Sequence, residues 1–147
     1  MHEDHTEQLA AGRYLLLTTF GEDGTPVRTP IWVVQDGGAL GVWTPADSWP
    51  ARRIRRSPRV LVGPCDARGN PTGGQLPARA ALCDPDATAQ YRTSLINKYG
   101  MPALLTLARS RLRCGLAGTV GIRITLDERA PLLIGAPWQP PGTYSLN

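Results

Sequence analysis

Leu15-Leu-Leu-Thr-Thr-Phe-Gly-Glu-Asp-Gly-Thr-Pro-Val-Arg-Thr-Pro-Ile-Trp-Val-Val-Gln-Asp-Gly-Gly-Ala-Leu-Gly-Val-Trp-Thr44 is the stretch from which the fold is read. Leu15 to Phe20 is rich in strand-forming residues, and Gly21 to Pro26 is a turn cluster with Asp-Gly inside it. A hairpin therefore leads into Val27 to Gln35. Asp36-Gly-Gly38 turns the chain again into Ala39 to Thr44, so the reading is a three-strand antiparallel meander.

Trp49-Pro-Ala-Arg-Arg-Ile-Arg-Arg-Ser-Pro-Arg59 follows, with five of the 16 basic residues inside eight positions. Asp47 or Ser48 can cap a helix, Pro50 fits only its first turn, and Pro58 stops it, so Arg52 to Arg56 are expected to be helical. At about 100° per residue Arg52, Arg53, Arg55 and Arg56 lie within an arc of roughly 160°, and Ile54 points to the opposite side. Two readings fit this segment. One is an anion site for a phosphorylated ligand, since guanidinium pairs bidentately with phosphate; the other is a solvated basic face.

Beyond it the expected strands are Arg59 to Cys65, Leu76 to Cys83 and Gly118 to Leu126. The last alternates Val120, Ile122, Ile124 and Leu126 against Thr119, Gly121, Arg123 and Thr125. Pro85 opens a helix to about Tyr99 that Gly100 stops, and Met101 to Leu112 can form another. Six short antiparallel strands with interspersed helices argue for a mainly β domain, a small closed or split barrel with helices at its ends. Residues 1–8 read as a frayed N-terminus, 9–126 as the barrel domain, and 127–147 as a proline-rich C-terminal arm.

The bulk properties bound the function. At 147 residues and 41% hydrophobic the chain makes one domain with a real core. A net charge of +4 favours anionic partners, but the excess sits in Arg52 to Arg59 and Arg109 to Arg113. Cys65, Cys83 and Cys114 are odd in number and widely spaced, which supports neither a disulfide framework nor a zinc site. His2 and His5 lie on a polar end with nothing to fix metal geometry. No apolar run approaches the roughly 18 residues of a membrane span, and the first residues are acidic where a secretory signal is basic then apolar. The expectation is a cytoplasmic protein with no nucleic-acid or membrane partner and no metal.

Hydrolase, kinase and zinc-protease signatures are missing, so any chemistry is expected to come from a cofactor. Cys65 reads as a packed small hydrophobe rather than a nucleophile. Trp32 and Trp43 are strand tryptophans that suit either a core or stacking on a ring system.

The order of parts then becomes recognisable. Arg13 to Trp32, Gly41-Val-Trp-Thr-Pro-Ala-Asp-Ser48, Arg52-Arg-Ile-Arg-Arg-Ser-Pro-Arg59 and Gly63-Pro-Cys-Asp-Ala-Arg-Gly69 together resemble the pyridoxamine-phosphate-oxidase-like split β-barrel superfamily, of the FMN-binding split-barrel type. More narrowly they resemble the actinobacterial branch that uses the 8-hydroxy-5-deazaflavin coenzyme F-420. The match covers residues 9 to about 126, and its combination of motifs is more specific than any fragment.

The resemblance implies a six-stranded antiparallel split barrel, a homodimer, and a cofactor in a groove between subunits. Pro30, Ile31 and Trp32 would lie along its ring, Trp43, Thr44 and Pro45 would line the groove, and Ser48, Arg52 and Arg55 would approach its phosphate. The implied activity is hydride transfer from reduced deazaflavin to an unsaturated small molecule: an electron-poor C=C, an imine or a quinone-like compound. An FMN-dependent oxidoreductase on the same barrel is the alternative, as is a repurposed barrel without redox cofactor that binds a small molecule or haem. The chain departs from the resemblance at Trp49-Pro50, where relatives carry Gly-Lys and the lysine contacts phosphate. No catalytic residue is identifiable; Tyr91, Tyr99 or Tyr144 could supply a proton. In the arm, Trp138 and Tyr144 are expected either to line the substrate side of the groove as a lid, stiffened by the surrounding prolines, or to belong to a tail that only braces the barrel or the dimer.

Overall fold

The computed structural model describes residues 2–103, 105, 106, 109 and 118–127. Seven strands form one antiparallel sheet: β1 (Leu15–Phe20), β2 (Pro26–Ile31), β3 (Val34–Asp36), β4 (Ala39–Pro45), β5 (Arg59–Pro64), β6 (Leu76–Leu82) and β7 (Thr119–Leu126). The helices are α1 (His2–Ala11), α2 (Trp49–Arg56) and α3 (Pro85–Tyr99). The sheet order is β2-β1-β5-β6-β7-β4-β3, so the two edge strands are neighbours in the chain.

That order forces the sheet to curl. Ile31 and Val34 are three Cα steps apart, at most about 11 Å. Flat, the two edges of a seven-stranded sheet would be separated by six spacings of about 4.8 Å, roughly 29 Å. The sheet closes on itself into a split barrel, as the sequence predicted.

The expected strand count of six becomes seven. Val27 to Gln35 is not one strand, because its first part pairs with β1 (Leu16 opposite Pro30, Thr18 opposite Arg28) and its second with β4 (Val34 opposite Gly41). Trp32 and Val33 form the bend between the two edges. Both hairpin turns hold, with Gly24 and Gly37 at φ of 83° and 58°, conformations that side chains with a Cβ rarely adopt.

The barrel interior is filled by Leu15, Leu17, Val33, Leu40, Val42, Val60, Val62, Ile122 and Ile124, with Ile54 of α2 plugging one side. A second cluster, Val34, Tyr91 and Leu95 with Trp32, Trp43, Cys83 and Tyr99 packed against it, lies under α3. Tyr91 lies flat on β4 and β7. A Cβ at Gly41 would come within 2.9 Å of its ring, and one at Gly121 within 2.8 Å, so these glycines admit the helix.

The N-terminus expected to fray is instead α1, docked through buried Thr6, Leu9 and Ala10 at i, i+3, i+4 spacing. Lys98 ties the end of this helix down. Its ammonium donates to the carbonyls of Ala10, Gly12 (2.8 Å) and Val33 (2.7 Å). α3 spans the range expected for it, capped by the Asp84 carboxylate on the Ala87 amide (2.8 Å) and ended by Gly100 at φ 75°. Of the helix expected over Met101 to Leu112, Met101, Pro102 and Ala103 are helical and several later residues lie outside the described set. Arg111, Arg113, Cys114 and the arm from 128 to 147, with Trp138 and Tyr144, also lie outside it. Among the described residues no helix is long and apolar enough to cross a membrane, and no cluster of three metal-ligating side chains occurs.

Candidate functional site

Pro30 and Ile31 end β2, Trp32 is the bend residue, and Trp43 is on β4, on the other side of that bend. Curling brings them together. With Tyr14, Leu95 and Thr106 they line a largely apolar groove of ≈ 270 Å³. Four of the nine cofactor-binding residues expected from the sequence therefore share one concavity.

Its walls are held rigidly. Trp32 stacks on Tyr99, ring centroids 4.9 Å apart and planes 15° from parallel. The Tyr99 hydroxyl accepts from the Val33 amide (3.0 Å) and lies within donating distance of the Arg13 (2.8 Å) and Val33 (3.1 Å) carbonyls. Burial pushes the Tyr99 phenol above its ordinary pKa, and desolvation draws the Lys98 ammonium beside it below its own. Trp43 contributes a different property: its indole Nε1 is buried without an acceptor among the described residues. A buried N–H left unpaired costs about 1–3 kcal/mol.

Thr44, Pro45 and Ser48 lead out of this groove along the chain and do not line it. Pro45 closes β4, paired with Thr119. The buried Thr44 hydroxyl donates to Ser48 Oγ (3.0 Å), which also accepts the Ala51 amide (3.3 Å) as the N-cap of α2. Ala51 and Ile54 are buried at 0% and 3% exposure, and the arginines face outward as expected. Arg53 donates to Thr19 Oγ1 (3.4 Å), and Arg56 reaches both the Glu22 carboxylate (3.4 Å) and the Phe20 carbonyl (3.3 Å). Arg52 and Arg55 make no ion pair among the described residues.

Tyr91, one of the suggested proton donors, is committed elsewhere. Its hydroxyl donates to Asp36 Oδ2 at 2.6 Å, and burial first, then that bond, raises its pKa far above the ordinary phenol value. Cys65 and Cys83 are free thiols whose pKa values burial raises, the opposite of an activated nucleophile.

The sequence reading did not single out Tyr14, Leu95 or Thr106 as groove residues, nor Tyr99 as the stacking partner of Trp32. Tyr14 precedes β1 and the rest belong to or follow α3, so only tertiary packing connects them to β2 and β4.

No family model matches the chain, and no curated protein matches it in sequence. Solved structures do. A conserved hypothetical protein, Rv2991 from Mycobacterium tuberculosis, aligns at 22% identity over 95% of this chain and 92% of its own, with a TM-score of 0.61. An F420 reductase aligns at 24% identity, covering 82% and 92%, with a TM-score of 0.55. A Listeria innocua protein assigned as a pyridoxamine 5'-phosphate oxidase aligns at 18% identity, covering 87% and 95%, with a TM-score of 0.57. Haem proteins at 14% identity share the architecture, so the barrel alone does not select a ligand. The chain shares with these proteins the fold of a split β-barrel.

Proposed function

We propose that the protein is a coenzyme F-420-dependent reductase that transfers hydride to an electron-poor double bond, imine or quinone-like substrate. The observation that carries this reading is the juxtaposition of two tryptophans and the Pro30-Ile31 edge around one apolar groove, with β4 running straight from it into an arginine-rich helix. Such a site suits a ligand with a flat ring at one end and a phosphate at the other.

The residues fit that group. Pro30, Ile31 and Trp32 would support the ring, and the unpaired Trp43 Nε1 would donate to a ring carbonyl or nitrogen. Thr44, Pro45 and Ser48 would follow its side chain, with Arg52 and Arg55 toward the phosphate. When bound, the deazaflavin supplies the hydride. The chain's own residues orient the ring, exclude water from one of its faces and hold the phosphate. Tyr91, held by Asp36, is a poor acid here, so the proton comes from elsewhere.

A groove of ≈ 270 Å³ is slightly under the roughly 300–1,000 Å³ of sites that enclose a drug-sized ligand. It has room for a ring system and leaves the rest of the coenzyme to another surface. This supports the homodimer implied by the resemblance, with a second copy completing the wall.

Isothermal titration with oxidised coenzyme F-420, and separately with FMN, tests the reading. Saturable F-420 binding that Trp32→Ala weakens by roughly tenfold, about 1.4 kcal/mol, is expected. Equal affinity in wild type and variant, or tighter binding of FMN, would refute it.

A further inference from the structure

Trp49 is the most exposed large hydrophobic residue described, at 65%. It occupies the place where the resemblance leads one to expect no side chain, and it adds almost nothing to the core. Its position on α2 is informative. Trp49, Arg52, Arg53 and Arg56 stand at i, i+3, i+4 and i+7, one stripe on the side away from buried Ala51 and Ile54. The guanidinium carbon of Arg52 lies 5.1 Å from the centre of the Trp49 ring, and that of Arg53 lies 5.7 Å away. Both are within the roughly 6 Å range of a cation–π contact.

We propose that Trp49 is a positioning residue that holds Arg52 and Arg53 as a preformed clamp for a phosphate monoester or diphosphate. An arginine on a solvated helix gives up rotamer freedom when it binds. The indole restricts that freedom in advance and, apart from the Arg53 bond to Thr19 among the described residues, leaves the N–H groups of both guanidiniums available for oxygen ligands. Arg56, the fourth member of the stripe, is already engaged by Glu22 and the Phe20 carbonyl. Arg53 has a single long bond to the Thr19 hydroxyl, and Arg52 has no acidic partner among the described residues. The clamp takes over the charge that the absent lysine would have provided. The coenzyme reading supplies the identity of the phosphate's owner; the clamp itself does not depend on it.

The test uses the full chain with Trp49→Phe and Trp49→Ala. Each is titrated calorimetrically with coenzyme F-420, FMN, riboflavin and inorganic pyrophosphate, and wild-type tryptophan fluorescence is followed during the pyrophosphate titration. Trp49→Ala should weaken every phosphate-bearing probe that wild type binds by about three- to tenfold. Riboflavin affinity and melting temperature should not move, Trp49→Phe should retain most of the affinity, and pyrophosphate should perturb the wild-type fluorescence. If pyrophosphate binds with this Trp49 dependence while no flavin or deazaflavin binds, the coenzyme reading fails and the clamp stands. Unchanged affinity for the phosphate-bearing probes in Trp49→Ala, an equal loss for riboflavin, or no phosphate-bearing probe bound by wild type would overturn the clamp.

Discussion

Trp43 and Tyr91 lie in neighbouring parts of the same aromatic layer and have opposite polar accounts. The Trp43 N–H is buried and unpaired, whereas the Tyr91 hydroxyl is satisfied at 2.6 Å by Asp36. Replacing Trp43 with Phe removes a donor that the free protein leaves unsatisfied. Thermal stability should change by less than about 1 kcal/mol, while affinity for the coenzyme falls about three- to tenfold. A melting scan and a titration separate the two effects. Tyr91→Phe should act on stability, costing about 1–3 kcal/mol through the lost hydrogen bond to a charged group, while the Asp36 carboxylate keeps Arg123 at 3.9 Å. Its pH dependence has a definite sign. The folded protein retains the Tyr91 proton above the ordinary phenol value of 10.0, where the unfolded chain loses it. This contribution is therefore complete below that pH and declines as pH rises past it. Urea unfolding at about pH 9 and about pH 11 should show a steeper loss in wild type than in Tyr91→Phe. Parallel losses would contradict the assignment.

At the scale of elements, α2 was legible because its signals are local. Ser48 caps, Pro50 sits in the first turn, Ile54 is the apolar residue on the buried face, and Pro58 ends the run. Substituting Ser48 with Ala should cost about 0.5–2 kcal/mol through the lost cap, and Ile54→Ala about 2–5 kcal/mol through the cavity left in the barrel plug. Denaturant midpoints of the two variants rank these effects, and a larger loss for the cap than for the plug would contradict the packing described. Two elements were harder to read. In α1 the apolar residues are few, and the Thr6, Leu9, Ala10 spacing was the only trace of a buried face within an acidic, polar segment. Val27 to Gln35 is continuous in strand propensity, and nothing local shows that its two ends pair with opposite edges of the sheet. The groove-lining residues on β2 and β4 were legible through the motif order, whereas Leu95 reaches the groove, and Tyr99 reaches Trp32, only because Tyr91 docks α3 on Gly41 and Gly121.

For the whole molecule, one topological fact organises the site: the strands on either side of Trp32 and Val33 are the two edges of the sheet. Closing the barrel and forming the groove go together, so the groove lies where the sheet meets itself. A second copy covering that groove is expected, and light scattering at micromolar concentration should return twice the chain mass of 15.9 kDa; a monomer would leave the groove one-sided. The central claim is that this groove holds a deazaflavin. Its most direct measurement is the absorbance spectrum of the protein peak after gel filtration from mixtures with coenzyme F-420, FMN or haem. The account predicts a violet band co-eluting with the protein from the F-420 mixture, lost in Trp32→Ala. Co-elution of only the FMN or haem band, or of no band at all, would contradict it.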